Sequence, residues 1–537
     1  MNKRYLLVLT AVSMLALGAC KKSKTEPTVT PPVVTPPTTT PTATRQQLSL
    51  DSIFLYAKEV YLWNDKLPTY EVFNPRQYTT QTTDAKNYAQ ALFEITKYSN
   101  PFEWTTGATR SKFSYVFDKA NKNPVAVINP EASVDLEGNG NDVGLDVGFY
   151  GTTANYNVYV RAVEPNSPAD KAGFVRGDKL TKINGIEYGT NYTEEKGIAI
   201  LNAVENSVSV EAVRGVDGTT FSANLTKVSY ASSPIYKSRI INADGKKIGY
   251  ISYARFAKLT NPATRNTPAS DTRFDPIFQN FATEGVTDLI IDLRYNGGGY
   301  VSTAEYLTNL IAPSGVSGVM FSEHFNSVMQ SGNAKILANQ PLLDVNNKVQ
   351  DQNNDGKIDT YADVNYSVSA NTISFSKTGP LTGVRNIVFI VAAGTASASE
   401  LLINNLKPHV NVTLVGRKTY GKPVGFFPIT IENKYDIYYS LFESKNSLGQ
   451  GGYYSGMVPD YDLAEVPTGT AMFDFGNPND VYIAKAVSVL APNAKSVNNT
   501  TMSSVKMFNT VSSSNVIGAE LSNKFNGMIE NRFKLKN

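Results

Sequence analysis

Hydrophobic and polar positions are arranged in three different ways along the chain, and each arrangement marks a region. In the first region, residues 47–135, apolar residues recur at helical spacing within LSLDSIFLYAKEVYLWNDKLP and DAKNYAQALFEITKY. Asp51 supplies a helix-start signal in the first of these segments. No acidic and basic side chains suited to catalysis stand together here, so the pattern predicts a small N-terminal helical domain.

The second region, residues 140–230, consists of short segments with strand character separated by turns. The segments VGLDVGFYG, YNVYVRAV, SVSVEAVR and FSANLTKV predict β-strands. Residues 168–173 predict a short helix that stops at a glycine. Gly177-Asp178 and Asn184-Gly185 are turn signals, the second of the hairpin type. This pattern predicts a small β-rich domain.

The third region, residues 231–490, alternates apolar strands with helical segments. KIGYISYARF, VTDLIIDLRYNGGG, NIVFIVAAG and VTLVGRKTYGK predict strands, and residues 301–311 and 397–406 have helical patterns. Continuous apolar strands of this kind are typical of a sheet that is buried on both faces. The pattern predicts an α/β core with a long polar insertion at residues 314–384, and the three regions together predict a multidomain α+β protein.

Within the insertion, DQNNDGKID resembles a calcium-binding loop. Its candidate oxygen ligands are Asp351, Asn353, Asp355 and Asp359, with a glycine at the sixth position. However, Ala362 stands at the twelfth position, where such a loop needs a bidentate acid, and no flanking helix is evident. The favoured alternative is a turn rich in Asp and Asn.

The N-terminus has the pattern of a processing segment. A basic start precedes an apolar run too short to span a bilayer, which predicts a signal peptide over residues 1–19. The tetrapeptide ending at Cys20 resembles a bacterial lipobox, which predicts cleavage before Cys20 and lipidation of its thiol; an ordinary signal peptide is the alternative. Residues 20–46 are rich in Pro and Thr and predict an extended linker. The expected location is the cell envelope, lipid-anchored to a bacterial membrane and facing the periplasm or the cell surface.

Composition excludes several classes of function. The chain has 537 residues, 41% of them hydrophobic, and a net charge of +3, which is too balanced for a nucleic-acid-binding surface. One cysteine and two histidines rule out an intramolecular disulfide and a zinc site built from Cys and His. We expect no cofactor. Residues 491–537 carry no functional signal.

Candidate chemistry centres on VAAGTASASELLINNL, where Ser397 lies between a strand and a helix. In isolation, a serine at this position is more simply a helix N-cap. Lys422, in GRKTYGKPVG, lies 25 residues later (422 − 397), which leaves room for one helix and one returning strand. The glycines after DLRYN allow a backbone N–H to approach a ligand, as an oxyanion hole requires. Since His324 and His409 lie in unsuitable places, lysine is the more plausible base for a serine nucleophile.

Two family resemblances join these motifs. SPADKAGFVRGDKLTKING is similar to the central signature of PDZ domains, and GTASASE, YGKP and DLRYNGGG resemble the C-terminal processing (tail-specific) serine peptidases. The second resemblance extends over roughly residues 140–470 and implies a protease core of the ClpP/crotonase-like type. It implies that Ser397 is the nucleophile, Lys422 the general base, and Gly298 and Ala398 the oxyanion donors. The PDZ resemblance implies that a loop receives a substrate's free C-terminus; its residues are Gly144, Leu145, Asp146 and Val147.

One position departs from the family pattern. Many members have a glutamine four residues after the lysine, whereas this chain has Phe426. A lysine must lose about three pKa units to act as a base near neutrality, and burial among apolar groups such as VGFF provides a means. Asp292 and Arg294 are expected to form a structural ion pair, and Glu400 to favour the start of a helix.

The sequence therefore predicts a serine endopeptidase with a Ser/Lys dyad, an acyl-enzyme intermediate and a PDZ-like module for protein or peptide substrates with free C-termini. We expect no nucleic-acid partner, and a membrane contact only through the N-terminal lipid. Two alternatives remain open at this point. One is a peptide-binding relative with weak or absent catalysis, which the replacement of glutamine by Phe426 favours. The other is a binder of a non-peptide ligand.

Overall fold

The computed structural model describes residues 43–120, 134–264, 267–344, 348–352, 354–466, 471–497, 500–501, 527–530 and 532–536. The described residues from Arg45 onward form one compact unit. The predicted signal peptide, Cys20 and most of the predicted linker lie outside the described residues. Among the helices that the structure describes, none has the length and apolar character needed to cross a membrane.

The N-terminal region is helical only in its first half. Its elements are α1 (Arg45–Val60), α2 (Tyr70–Phe73), α3 (Asp84–Thr96) and β1 (Tyr115–Asp118). Helix α1 begins ahead of Asp51, whose carboxylate binds Arg76 instead of capping the helix. The prediction of a helical domain reaching residue 135 is wrong for β1, where Tyr, Val and Phe favour an extended chain. This strand pairs with β20 of the third region, and the helices share that region's hydrophobic interior, so the N-terminal region is not a separate domain.

The second region is the predicted β-rich domain. Its elements are β2 (Asn139–Asp142), β3 (Leu145–Gly151), β4 (Tyr156–Val163), α4 (Pro168–Lys171), β5 (Lys179–Ile183), β6 (Ile186–Glu187), α5 (Glu194–Val204), β7 (Val208–Val213), β8 (Thr220–Leu225) and β9 (Val228–Ala231). Its main sheet has the order β3-β4-β5-β7-β8, so β3 is an edge strand, and α5 packs beside it. The predicted Asn184-Gly185 hairpin turn is confirmed, with φ of 52° and 77°.

The remaining elements belong to the third region and, for the last three strands, to the chain after residue 490. They are β10 (Ile235–Ala243), β11 (Lys246–Tyr253), α6 (Asp275–Thr283), β12 (Asp288–Asp292), β13 (Gly298–Tyr300), α7 (Val301–Ile311), β14 (Val319–Phe325), α8 (Ser327–Gln330), β15 (Thr372–Ser374), β16 (Asn386–Val391), α9 (Ala398–Leu406), β17 (Asn411–Gly416), β18 (Val424–Gly425), β19 (Ile429–Ile431), β20 (Tyr435–Tyr438), β21 (Phe442–Asn446), β22 (Tyr461–Asp462), α10 (Val481–Leu490), β23 (Ser496–Val497), β24 (Thr500–Thr501) and β25 (Gly527–Ile529).

An eight-stranded sheet with the order β22-β17-β16-β12-β11-β10-β23-β24 forms the centre of this region. Strands β11, β12, β16 and β17 run parallel, and every residue of β12 is buried. Alternate residues of β12 and β16 belong to two hydrophobic clusters, as expected for a sheet covered on both faces. The predicted α/β core is thus confirmed.

The predicted insertion at residues 314–384 contributes strands to a sheet of the core. Strand β14 pairs with β21 and β15, which gives a four-stranded sheet in the order β15-β14-β21-β18. In the predicted calcium loop, the carboxylates of Asp351 and Asp355 accept backbone N–H groups of the loop, and Asp359 accepts that of Gln352. Asn353 lies outside the described residues. These carboxylates therefore act as turn acceptors, which is the favoured alternative.

Candidate active site

The candidate catalytic residues follow three parallel strands of the central sheet. The glycine loop comes after β12, Ser397 after β16, and Lys422 after β17. The 25-residue spacing between Ser397 and Lys422 is occupied by α9 and β17, as the sequence predicts. Because parallel strands end at the same sheet edge, all three segments meet there.

Ser397 has an unusual backbone conformation, with φ of 61° and ψ of −111°. Positive φ is unfavourable for a residue with a Cβ, and strain of this kind is concentrated at functional sites. The Ser397 N–H donates to Glu400, in the outline of a capping box. The return bond is not made: Ser397 Oγ is buried and has no hydrogen-bond partner among the described residues. The strained turn therefore presents a hydroxyl that is not committed to capping the helix.

Glu400 connects the serine and lysine segments. Its fully buried carboxylate accepts the backbone N–H groups of Ser397 (2.9 Å), Gly421 (2.8 Å) and Lys422 (2.8 Å) and the hydroxyl of Thr419. Burial raises the pKa of Glu400, and these four donors oppose the shift. The sequence predicts only a helix-start role for Glu400. Its spacing of three residues from Ser397 was visible, but its bonds to residues 419–422 depend on the tertiary fold.

Lys422 lies in an apolar, aromatic environment and is 1% exposed. Its Nζ lies 4.3 Å from the ring centroid of Phe426 and 5.8 Å from that of Phe113, and donates to Phe113 O at 3.4 Å. Burial lowers the pKa of Lys422 to about 7, although the carboxylates of Glu103 and Glu400 act in the opposite direction. The apolar wall inferred from VGFF is present, and its nearest ring is that of Phe426, the residue that replaces glutamine.

The N-terminal region completes the surroundings of Lys422. Glu103 is 1% exposed, and its carboxylate accepts the hydroxyls of Tyr61 (2.8 Å) and Ser440 (3.0 Å) and the amide of Phe113 (3.3 Å). These bonds attach residues 103–113 to the core beside the lysine. No local pattern predicts this contribution, because it depends on contacts between residues more than 300 positions apart.

The predicted oxyanion donors are close together but not equivalent. Ala398 N–H, at the start of α9, has no hydrogen-bond partner among the residues that the structure describes. A Cβ on Gly298 would lie 3.0 Å from Ala398 N, so the glycine loop directly abuts the serine turn. However, Gly298 N–H donates to Asn296 Oδ1 at 2.9 Å. The Ala398 N–H is therefore available to an oxyanion in this conformation. The role predicted for Gly298 requires that its N–H first break the hydrogen bond to Asn296 Oδ1.

Neither histidine lies at this site. His324 Nε2 contacts Ser322 Oγ at 2.9 Å, and His409 Nε2 contacts Ser447 Oγ at 3.3 Å. Among the described residues, no group of three or more His, Cys, Asp and Glu side chains is arranged to hold a metal ion. The site thus offers a serine hydroxyl and a lysine amine as its reactive side chains.

The predicted carboxylate-binding loop lies at the start of the edge strand β3. Gly144 has φ of 80°, and its N–H donates to Asp142 Oδ1 at 2.7 Å. Leu145 and Val147 point into the domain core, while Asp146 forms an ion pair with Arg161 at 2.6 Å. The open edge of β3 beside α5 is the geometry that an added peptide strand needs.

The Asp292–Arg294 ion pair is confirmed, and it belongs to a larger ionic cluster. Arg294 binds Asp292 at 2.8 Å and Asp480 at 2.9 Å, and Glu465 joins it to Arg176 of the β-rich domain. Burial alone would raise the pKa of Glu465, but Arg176 and Arg294 outweigh it and hold the pKa at about 2. This cluster joins two regions and is not part of the serine–lysine site.

Comparison with known proteins agrees with this geometry. Residues 247–463 match the model of peptidase family S41, and residues 159–206 match that of a PDZ domain. A carboxyl-terminal-processing protease of Picosynechococcus sp. is 24% identical over 371 residues, which cover 66% of this chain and 72% of the relative. A chloroplastic C-terminal processing peptidase of Tetradesmus obliquus is 25% identical over 52% of this chain and 51% of its own length.

The fold is also found among solved structures. The crystal structure of a putative S41 protease from Bacteroides fragilis aligns with a TM-score of 0.52 and 19% identity, covering 82% of this chain and 97% of that one. The described residues thus combine a PDZ domain with a core that has the fold of this protease.

Proposed function

We propose that this chain, which carries a serine-type peptidase domain of family S41 joined to a PDZ domain, is an endopeptidase acting through Ser397 and Lys422. The observation that carries the proposal is that a strained, buried Ser397 and a lysine whose pKa burial lowers to about 7 follow neighbouring parallel strands at one edge of the sheet. Glu400 binds the backbone of both residues and so fixes their relative position.

The geometry supports nucleophilic catalysis in two steps. Neutral Lys422 accepts the proton of Ser397 Oγ as the hydroxyl attacks the scissile carbonyl carbon. The Ala398 N–H, at the N-terminus of α9, then stabilises the negative charge on the carbonyl oxygen. Lys422 returns the proton to the leaving amine, which gives an acyl-enzyme on Ser397. A water molecule, deprotonated in the same way by Lys422, hydrolyses this ester and restores the serine.

The PDZ domain provides the second part of the proposal. A peptide with a free C-terminus adds as a strand to the open edge of β3, and backbone N–H groups of residues 144–147 receive its carboxylate, for which the Gly144 N–H must leave Asp142. The edge position of β3 and the packing of α5 beside it support this role. Comparing otherwise identical peptides with free and amidated C-termini tests it: we expect the amidated peptides to bind more weakly.

Anchoring at the cell envelope is also part of the proposal and rests on the sequence of the N-terminus. Cys20 is the only cysteine of the chain and ends a lipobox-like tetrapeptide. Lipidation there holds the enzyme at a bacterial membrane by its N-terminus. Labelling cells with a fatty-acid analogue tests this, because a Cys20→Ser variant must lose the label if the thiol is the acceptor.

The catalytic proposal is tested with the full chain and a generic unfolded protein as substrate. Cleavage by the native chain, followed by mass spectrometry of the fragments, is expected to disappear in Ser397→Ala. Ser447→Ala serves as the matched control, because this serine contacts His409 and lies outside the site. Equal cleavage by the native chain and Ser397→Ala would contradict the assignment of the nucleophile.

A further inference from the structure

A strand from the far C-terminus lies inside the peptidase region. Strand β25 pairs in parallel with β13, the strand of the glycine loop, and Gly527 N–H donates to Gly297 O at 3.1 Å. On its other side, Met528 O accepts the N–H of Phe426 at 3.0 Å, and Glu530 N–H donates to Phe426 O at 3.3 Å. Residues 527–530 are therefore hydrogen-bonded on both edges, between the segments that follow β12 and Lys422.

This strand runs directly past the candidate catalytic residues. A Cβ on Gly298 would lie 2.5 Å from Gly527 O and 3.0 Å from Ala398 N, so only a glycine lets the strand backbone approach the serine turn. The Phe426 backbone pairs with the strand, while its ring lies 4.3 Å from Lys422 Nζ. A polypeptide in this position passes between the predicted oxyanion loop and the lysine.

The contacts after the strand hold it in place through the insertion. The ring of Phe533 lies 5.1 Å from that of Tyr361 and 5.4 Å from that of Phe427. Leu535 forms a β-bridge with Val364. We call residues 527–530 and 532–536 the C-terminal tail. Its anchors lie outside the serine–lysine site, so they can be changed without touching the catalytic residues.

A group of charged side chains, of which Glu530 and Glu323 are buried, lies where the tail leaves the groove. Glu530 is 5% exposed and binds Arg532 at 3.0 Å, and Arg532 also binds Glu305. Glu323 of β14 is buried against this group, and burial, with the neighbouring Glu530 carboxylate, raises its pKa well above the usual range. The ion pair between Arg532 and Glu305 of α7 thus attaches the docked tail to the core.

We propose that the slot between β13 and Phe426 is the groove that takes an extended substrate polypeptide, and that the chain's own C-terminal tail occupies this groove as an intramolecular competitor. The inference rests on the proposed endopeptidase function and adds the place and direction of substrate binding: a strand parallel to β13, held by backbone hydrogen bonds on both edges. A substrate enters only when the tail is displaced, because one slot accepts one strand.

Binding of a labelled peptide tests the groove independently of catalysis. The probe is a fluorescent peptide, NGMIENRFKLKN, with the sequence of residues 526–537. It is titrated into the full chain carrying Ser397→Ala, with the native tail or with Phe533→Asp added. A tethered tail competes at an effective concentration in the millimolar range, so we expect the peptide to bind the Phe533→Asp chain at least about 10-fold more tightly.

Matched controls separate the groove from general loosening. Phe375→Ala removes a half-buried ring that packs on His409 and is expected to leave peptide binding unchanged. A peptide with Gly527→Pro lacks the N–H that bonds Gly297 O and is expected to bind weakly. Leu535→Asp provides a second way to release the tail, should Phe533→Asp lower the melting temperature. Equal binding to chains with native and altered tails, or binding to neither, overturns the proposal.

Activity provides the functional readout. In the chain with Ser397 intact, Phe533→Asp is expected to raise kcat/KM for an unfolded protein by about 10-fold or more, and the added tail peptide to raise KM without changing kcat. An unchanged or lower kcat/KM in a folded variant contradicts the competitor role. If the peptide binds as expected while no variant cleaves protein, the groove stands and the proposed catalytic function fails.

Discussion

Lys422 and Arg294 are both basic residues, and each is 1% exposed. Both lie in segments that follow the carboxyl ends of parallel strands in one sheet. Their surroundings differ. Arg294 binds the carboxylates of Asp292 and Asp480, and although burial alone would lower its pKa, these carboxylates outweigh burial and raise it. For Lys422, burial outweighs the carboxylates of Glu103 and Glu400, and the pKa falls to about 7.

The difference shows how equal burial yields opposite chemistry. A guanidinium that is ion-paired on two sides stays charged and joins two regions of the protein. An amine placed against aromatic rings loses its proton near neutral pH and becomes a base. The carboxylate beside the lysine, Glu400, has its oxygens directed at backbone N–H groups. It therefore positions the chain around Lys422.

The largest effect is expected from replacing the base with a permanent cation. Lys422→Arg keeps the positive charge, but a guanidinium does not deprotonate in proteins and cannot accept the serine proton. We expect kcat/KM for an unfolded protein to fall by about 10³–10⁴-fold. Lys422→Met is expected to lose activity equally without losing stability, because it buries no amine. Substantial activity in Lys422→Arg would contradict the assignment of the base.

The second prediction concerns the ion-paired site. Arg294→Met leaves Asp292 and Asp480 buried without their cation, so we expect unfolding in urea to require about 3–5 kcal/mol less free energy. Activity per folded molecule should change little, since Arg294 lies outside the serine–lysine site. Arg417→Met is the matched control: its ion pair with Asp462 is at the surface, and its loss is expected to cost less than about 1 kcal/mol. Equal destabilisation by the two variants would show that burial of the pair is unimportant.

Much of the candidate catalytic site follows from local sequence. Ser397 and Lys422 each lie in the segment that follows an apolar strand, and their spacing leaves room for one helix and one strand between them. The strand and helix patterns that predict this arrangement are local in sequence, and the structure has α9 and β17 between the two residues. The ion pair of Asp292 and Arg294 was also predictable, because two residues on one strand end are near each other in any fold.

The rest depends on contacts that no local pattern specifies. Glu103 reaches the lysine from the N-terminal region, and β1 was hidden because its pairing partner lies over 300 residues away. The C-terminal strand shows the same limit: Gly-Met-Ile is too short to predict a strand, and only its partners at Gly297 and Phe426 give it a place. The prediction of a peptide-binding loop at Gly144 remains to be tested by binding.

The third prediction separates positioning from simple stability. Glu400→Gln keeps the shape of the side chain but replaces one carboxylate oxygen with an NH₂ group, which cannot accept hydrogen bonds from the backbone N–H groups around it. We therefore expect kcat to fall by about 10–100-fold, with KM nearly unchanged. Because the Glu400 carboxylate raises the pKa of Lys422, its removal should also move the midpoint of the pH profile toward acid. A fall in activity that only follows the folded fraction, with the pH midpoint unmoved, would mean that Glu400 is merely structural.

The smallest effect on activity is expected from changing Phe426, whose ring is the nearest aromatic group to Lys422 Nζ among those named above. For the native chain, kcat/KM should rise with pH to a plateau, with its midpoint near pH 7, because Lys422 is protonated and inactive below its pKa and neutral above it. Phe426→Gln replaces the ring 4.3 Å from Nζ with an amide whose oxygen can accept a bond from the ammonium, which favours the charged form. We expect the midpoint to move toward alkali by up to about one unit, which lowers activity at neutral pH by less than about 10-fold while the alkaline plateau is retained.

Phe427→Gln is the neighbouring control, since its ring packs on Tyr361, and it should leave the midpoint in place. A midpoint that stays fixed in Phe426→Gln would show that burial by the remaining groups, including Phe113, suffices to lower the pKa of Lys422.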